Sequence, residues 1–163
     1  MKDERQKLLD GFKNGFRKKY YNDSDLMKKL VTDGANQPFF IIHCMDPRSG
    51  ATKLFGADPG QIFGKRPMGA FVPPCTQSRE DGNMTASLSY AVQHKKVKHI
   101  IVLGHTHCGG IEALVKGVND PHIQGWMANA GDAFTRAKKQ AGGSHDVDAL
   151  CRETEKQAVI VSL

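Results

Sequence analysis

No segment of this sequence is long and apolar enough to cross a bilayer as a helix. Its uninterrupted apolar runs, such as Phe39 to Ile42 and Ile100 to Leu103, span only a few residues, whereas a membrane helix needs roughly 20. A secretion signal is missing as well, because the charged opening of residues 1–7 is not followed by an apolar core. A cytoplasmic location and no membrane partner are therefore expected. Cysteines number four, Cys44, Cys75, Cys108 and Cys151, enough for two disulfides by count alone. Without an export signal, reduced thiols or metal ligation are the better reading. There is no C-x-x-C pair, which leaves a thiol-redox role little support.

Acidic residues are outnumbered, 17 against 23 basic ones, for a formal charge of +6 and a pI near 9.2. Such an excess can mark a nucleic-acid binder. Here the basic residues are scattered, with small clusters at Arg17-Lys18-Lys19, Lys95-Lys96 and Lys138-Lys139, and no recognition-helix or RNP-like pattern accompanies them. Solvated helix faces account for clusters of this kind, so no nucleic-acid partner is expected, although the charge favours anions near the surface. The composition, 39% hydrophobic and 25% charged, is that of an ordinary globular protein. A length of 163 residues suits one domain with a real core.

Along the chain, Leu8, Leu9, Phe12 and Phe16 recur at helical spacing, and a second short helix carrying Leu26, Met27, Leu30 and Val31 is expected to stop near Gly34. Residues 38–43 form a short β-branched apolar run that predicts a buried strand ending at Cys44. A Gly/Pro-rich stretch from Asp58 to Pro74 is interrupted by Ile62 and Phe63. Residues 84–95 turn helical, His99 to Leu103 predicts a second buried strand, and a helix resumes at Ile111 to Val115. Residues 120–148 are polar and alanine-rich, which predicts helix broken at Gly142, Gly143 and Ser144. This alternation predicts an α/β fold with a mainly parallel sheet. In such sheets ligands gather beyond the C-terminal strand ends, where both Cys44 and Cys108 fall. The last segment, Lys156 to Leu163, turns apolar and stops in mid-run. The single domain expected over residues 1–163 is thus expected to be truncated at its C-terminus.

Beyond the second strand, His105 and Cys108 place an imidazole and a thiol three residues apart in a turn flanked by Gly104, Gly109 and Gly110. Zinc takes such ligands, Cys thiolate, His imidazole or carboxylate, in a tetrahedron. An isolated H-x-x-C is a weak signal. Cys44 offers a third ligand, followed at alternating positions by Asp46 and Arg48, whose carboxylate and guanidinium suit a bidentate ion pair. Three protein ligands leave a fourth position open, the mark of a catalytic rather than structural zinc.

The pattern Cys44-Met-Asp46-Pro-Arg48 together with Gly104-His105-Thr-His-Cys108-Gly-Gly resembles the β-class carbonic anhydrases. The resemblance extends over most of the chain, including residues 11–16, 58–63, Arg66 with residues 72–74, residues 90–92, 97–102, and Lys156 to Leu163. It implies an α/β fold with a parallel-rich sheet flanked by helices, and N-terminal helices that pack on a partner subunit in a homodimer or higher homo-oligomer. It implies one Zn2+ per chain, held by Cys44, His105 and Cys108, and reversible hydration of carbon dioxide to bicarbonate and a proton. Asp46 would accept a hydrogen bond from the water on the metal and Arg48 would hold Asp46. Phe63, Met68 and Tyr90 fall where the plant-type enzymes place pocket residues. The chain departs from that pattern in Pro47, where the family has serine, in Arg66-Pro67, where it has arginine-asparagine, and around Gln37, where a Gly-Gln pair supplies a pocket glutamine.

Simpler readings apply elsewhere. His107, beside a ligand, is expected to point outward or bond to backbone. His43, His94 and His99 are expected at strand or helix surfaces, Cys75 and Cys151 are expected to be inert, and Trp126 and Met127 to pack a helix. Alternatives to the main activity are a zinc hydrolase of the same fold acting on carbon disulfide or carbonyl sulfide, and a non-catalytic zinc-binding scaffold.

Overall fold

β1 (Phe39–His43) lies between β2 (Ile62–Lys65) and β3 (His99–Leu103), parallel to both, in a computed structural model that describes residues 3–35, 37–74, 82–142 and 146–163. Phe40 pairs with Phe63 on one side and Ile100 on the other, and His43 with Leu103. The expected strands are β1 and β3, but only β1 is buried as expected: β3 lies at a sheet edge, buries none of its residues and leaves Ile100 46% exposed. β2 is a further strand: four residues including Gly64, half-buried at a sheet edge, are too short and mixed to show a strand period.

Parallel neighbours need crossovers. Between β1 and β2 these are a 3-10 turn at Pro47–Ser49 and α3 (Ala51–Leu54). Between β2 and β3 they are a second turn at Met68–Ala70 and α4 (Gly82–Ser89), which widens to π winding over Tyr90–His94. After β3 come α5 (Gly109–Lys116), α6 (Pro121–Met127), α7 (Gly131–Gln140) and α8 (Val147–Val161). Asp120 caps α6 by accepting from His122 and Ile123 N–H ahead of Pro121, and Asp146 caps α8 in the same way. Gly142 turns to φ +57 after α7, at the start of the expected break, whose remainder lies outside the described residues.

The core has two parts. Phe40 and Ile42 pack with Met84 and Ala91 of the α4 crossover, joined by Phe63 and Val102. On the helical side, Cys44 and Cys108 belong to a cluster with Phe71, Ile111, Met127 and Ala158. Fully buried Ala133 and Ala137 let α7 lie close on α8. The two candidate thiol ligands are thus core residues, fixed by packing as well as by loop geometry, whereas His105 is half-buried.

The N-terminal helices behave differently. α1 (Glu4–Gly11) runs into a π-wound segment, Phe12–Asn22, and then α2 (Leu26–Thr32), and none of the three buries a residue. Phe12, Phe16 and Tyr20 form a ring ladder with centroids 6.0 and 4.9 Å apart. Tyr20 and Lys19 tie the arm to Asp58, and Leu30 packs on Gly60. Among the described residues no helix is long and apolar enough to cross a membrane.

Candidate metal centre

Strands of a sheet lie about 4.8 Å apart, so side chains leaving two adjacent strand ends can reach one point. β1 delivers Cys44 there, and β3 delivers the loop from Gly104 to Cys108. Cys44 Sγ and Cys108 Sγ are 4.0 Å apart, and with a ring nitrogen of His105 all three donor atoms lie within 4.8 Å of one another. Two zinc–sulfur bonds of about 2.3 Å at a tetrahedral angle would put the sulfurs about 3.8 Å apart, so the spacing fits an ion between them.

The imidazole is set for the same purpose. His105 Nδ1 is 3.0 Å from the carbonyl oxygen of Thr106, a contact that requires the ring proton on Nδ1. Nε2 is then a bare acceptor, and it is buried with no hydrogen-bond partner. An orphaned buried group of this kind costs about 1–3 kcal/mol. A cation facing two sulfurs is the partner that its chemistry calls for.

Both thiols are buried. The hydrogen bond between them, with help from the Asp46 amide, the His105 side chain and the Gly69 amide, lowers the Cys44 pKa to about 4 against the opposing effect of burial. Cys108 is pushed up, first by that same neighbour and then by burial. Metal binding, which takes thiolates, would release protons from the pair. Gly69, whose N–H is 3.3 Å from Cys44 Sγ, sits at φ +76 in the turn after β2. A side chain there would be strained and would meet the Phe71 ring at 2.5 Å.

Asp46 caps the Pro47–Ser49 turn, so Pro47 occupies a first-turn position where its missing N–H is not needed. Asp46 Oδ1 accepts the backbone N–H and Nε–H of Arg48, at 2.8 and 3.0 Å, and Oδ2 accepts Nη2–H at 2.8 Å. The Arg48 side chain, and then its backbone N–H, hold the Asp46 carboxyl well below the usual carboxylate range. Arg48 Nη2 also donates to the carbonyl of His107 at 2.7 Å, which joins the two ligand loops. His107 reaches that position with φ +54, its side chain exposed.

Two further residues secure the loops and were not assigned roles from sequence. Arg66, just past β2, donates to three successive carbonyls, those of Cys44, Met45 and Asp46. Glu155 of α8 accepts the Cys108 N–H at 2.9 Å. Their separations from the ligands, 22 and 47 residues, leave no local spacing to read. His43 corrects an expectation: it is buried rather than at a strand surface, its Nδ1 3.2 Å from the Cys44 carbonyl, because it faces inward at the last pair of β1 and β3. His94 and His99 are exposed, stacked on Tyr90 and Phe39. Met127 is buried, Trp126 donates to the Met68 carbonyl, Cys151 is half-buried, and Cys75 lies outside the described residues.

Of the three pocket residues, Met68 packs against the core cluster that holds Cys44 and Cys108. It abuts Gly110 and lines a cavity of about 540 Å3 with Met45, Pro67, Met84 and Trp126, bordered by Lys65 and Arg66. Phe63 lies in the core on the α4 side. Tyr90 is half exposed, with Lys95 Nζ 5.5 Å from its ring centroid. Gln37 is buried and its Oε1 has no partner.

Close packing under the second loop gives a direct test of this geometry. A Cβ on Gly104 would lie 2.6 Å from Val159 Cγ2 on α8. Gly104→Ala should cost about 1–3 kcal/mol, seen as a lower melting temperature, and adding Val159→Ala should restore part of it. An unchanged melting temperature for the single variant would show that α8 does not press on the loop.

Residues 39–163 match the family model described as carbonic anhydrase. Over 165 residues the chain is 30% identical to β carbonic anhydrase 5, chloroplastic, of Arabidopsis thaliana, covering 99% of this chain and 52% of that protein. Over 150 residues it is 29% identical to a carbonic anhydrase of Emericella nidulans, covering 85% and 63%. The chain therefore spans between about half and two thirds of the length of these curated relatives. A Coccomyxa β-carbonic anhydrase solved with acetazolamide superimposes with a TM-score of 0.81 at 25% identity, over 99% of this chain and 70% of that one.

Proposed function

Because the chain belongs to the β-carbonic anhydrase family, we propose that it hydrates carbon dioxide reversibly to bicarbonate and a proton, with one zinc ion held by Cys44, His105 and Cys108. The observation that carries this reading is the buried, unpartnered Nε2 of His105 beside two sulfurs 4.0 Å apart. A zinc ion held there supplies Lewis acidity, which brings the ionisation of water at its open position to about pH 7.

The chain's own groups do the rest. Asp46 is ionised and can only accept hydrogen bonds. Arg48 takes two acceptor positions on Oδ1 and one on Oδ2, so a lone pair of Oδ2 is left for the attacking water. A hydrogen held at Oδ2 turns the water's own lone pair toward the substrate. Arg48 also keeps Asp46 in its own orientation, and Asp46 is not among the clustered donor atoms, which supports an open fourth position. The apolar wall of Met45, Pro67, Met68, Met84 and Trp126 suits a small nonpolar substrate, while the Arg66 and Lys65 cations at its border favour departure and entry of bicarbonate. The proton then passes to buffer.

The active form is a homodimer or higher homo-oligomer. Its support is the arm of α1 and the π segment, which buries nothing within its own chain while Leu8 and Phe12 stand 78% and 50% exposed. Tyr90, exposed on its own chain, would complete the pocket of a partner subunit.

The test is zinc content and carbon dioxide hydration measured together on the purified chain, at pH 7 and above pH 8. One zinc per chain with hydration at both pH values is expected. Zinc with faster turnover of carbonyl sulfide or carbon disulfide would move the substrate assignment, and zinc with no turnover would leave a scaffold. Absence of zinc would overturn the reading.

A further inference from the structure

One buried carboxylate beside the metal centre is neither a ligand nor part of the Asp46–Arg48 pair. α8 passes beneath the second ligand loop, with Glu155, Ala158 and Val159 against Gly104, His105 and Cys108 around a void of only about 10 Å3. Glu155 is 9% exposed, and its Oε1 accepts the backbone N–H of Cys108 at 2.9 Å. Cys108 is the residue before α5, so its N–H has no partner inside that helix. Glu155 supplies one from a different helix, 47 residues away in the chain.

A neutral acceptor would satisfy the N–H equally well. A carboxylate also places negative charge beside two sulfurs and an imidazole. Nearby cations face other carboxylates: Lys116 faces Glu112 at 2.6 Å, Arg48 faces Asp46 at 2.8 Å, and Arg152, one turn before Glu155 on α8, faces Asp146 at 4.0 Å. Among the described residues Glu155 forms no ion pair. Its charge is therefore directed at whatever the three ligands hold, and its hydrogen bond at the peptide from which Cys108 Sγ projects. We propose that Glu155 is a positioning residue of the metal centre, fixing the Cys108 peptide and adding to the site's attraction for a divalent cation. The inference rests on the zinc reading above.

Zinc affinity, by competition with a chromophoric chelator, and the thiolate-to-cobalt charge-transfer band of the Co2+-loaded protein test it on the full chain. Glu155→Ala should weaken zinc binding about 10–100-fold and shift the cobalt band. Glu155→Gln keeps an acceptor for the N–H, so it should leave the band in place and weaken zinc binding less, about 3–10-fold. Gln157→Ala, on the same helix but bonded to Gln140 and Glu153, should lower the melting temperature and leave zinc affinity alone. Wild-type zinc affinity and cobalt band in Glu155→Ala would overturn the proposal. Should that variant not fold, Glu155→Gln decides, and unchanged affinity there overturns it. A wild-type chain that takes up no zinc removes the premise as well, whereas a zinc-binding wild type with indifferent variants removes only the role of Glu155.

Discussion

Cys108→Ser should leave a folded chain that has lost its zinc and its carbon dioxide hydration. The fold is expected to survive because Cys108 stands at the N-cap of α5, a position that serine favours, and because the change removes no methylene from the core. The metal is a different matter. Zinc binding by a full set of protein ligands is worth about 10–16 kcal/mol, so losing one of three ligands should cost roughly 3 kcal/mol or more, at least a hundredfold in affinity. Without the ion, water returns toward its ordinary pKa of about 15.7, and hydration should fall about 10³-fold or further. Metal analysis and stopped-flow hydration on one preparation would check both halves. Full zinc and full activity in this variant would remove Cys108 from the ligand set.

Asp46→Asn should do the reverse, keeping zinc and losing turnover. Asparagine replaces an acceptor-only group by one with two donors. The amide cannot satisfy Arg48 Nε, Arg48 N and Arg48 Nη2, all of which now donate to Asp46, and still offer a lone pair to water. Presenting its NH2 group to either side loses an interaction on that side. Removing a group that orients or accepts a proton in the transition state costs typically about 10²–10⁴-fold, and a fall in kcat/KM within that range is expected, with zinc stoichiometry unchanged. Turnover equal to wild type would sink the proposed role of Asp46. Loss of zinc along with turnover would place Asp46 among the ligands instead.

Much of this was legible in the sequence, for identifiable reasons. β1 and β3 are short apolar runs, each followed within two residues by a candidate metal ligand, Cys44 or His105, so strand and site announce each other. α6 and α7 fall in the polar, alanine-rich stretch that the composition marks as helical, whereas α8 has no counterpart among the expected elements. What escaped depended on contacts across the fold. Ile62 and Phe63 become a strand only because β1 offers its free edge. His43 is buried because it ends the central strand, paired with Leu103 of β3. Arg66 and Glu155 acquire their partners through the sheet and through α8. The π winding after Gly11 and within the α4 crossover leaves a helical periodicity that resembles ordinary α-helix over so few turns.

The Arg48 bridge to Asp46 and to the His107 carbonyl makes the two halves of the site one mechanical part. Each half is anchored on a separate strand and braced by its own helper, Arg66 on one side and Glu155 on the other. The guanidinium is rigid and planar, so displacement of either loop is transmitted to the Asp46 carboxylate, the group proposed to aim the attacking water. In the proposed reaction, the alignment of attack and the tightness of metal binding would be tuned by the same few hydrogen bonds, so that neither drifts without the other.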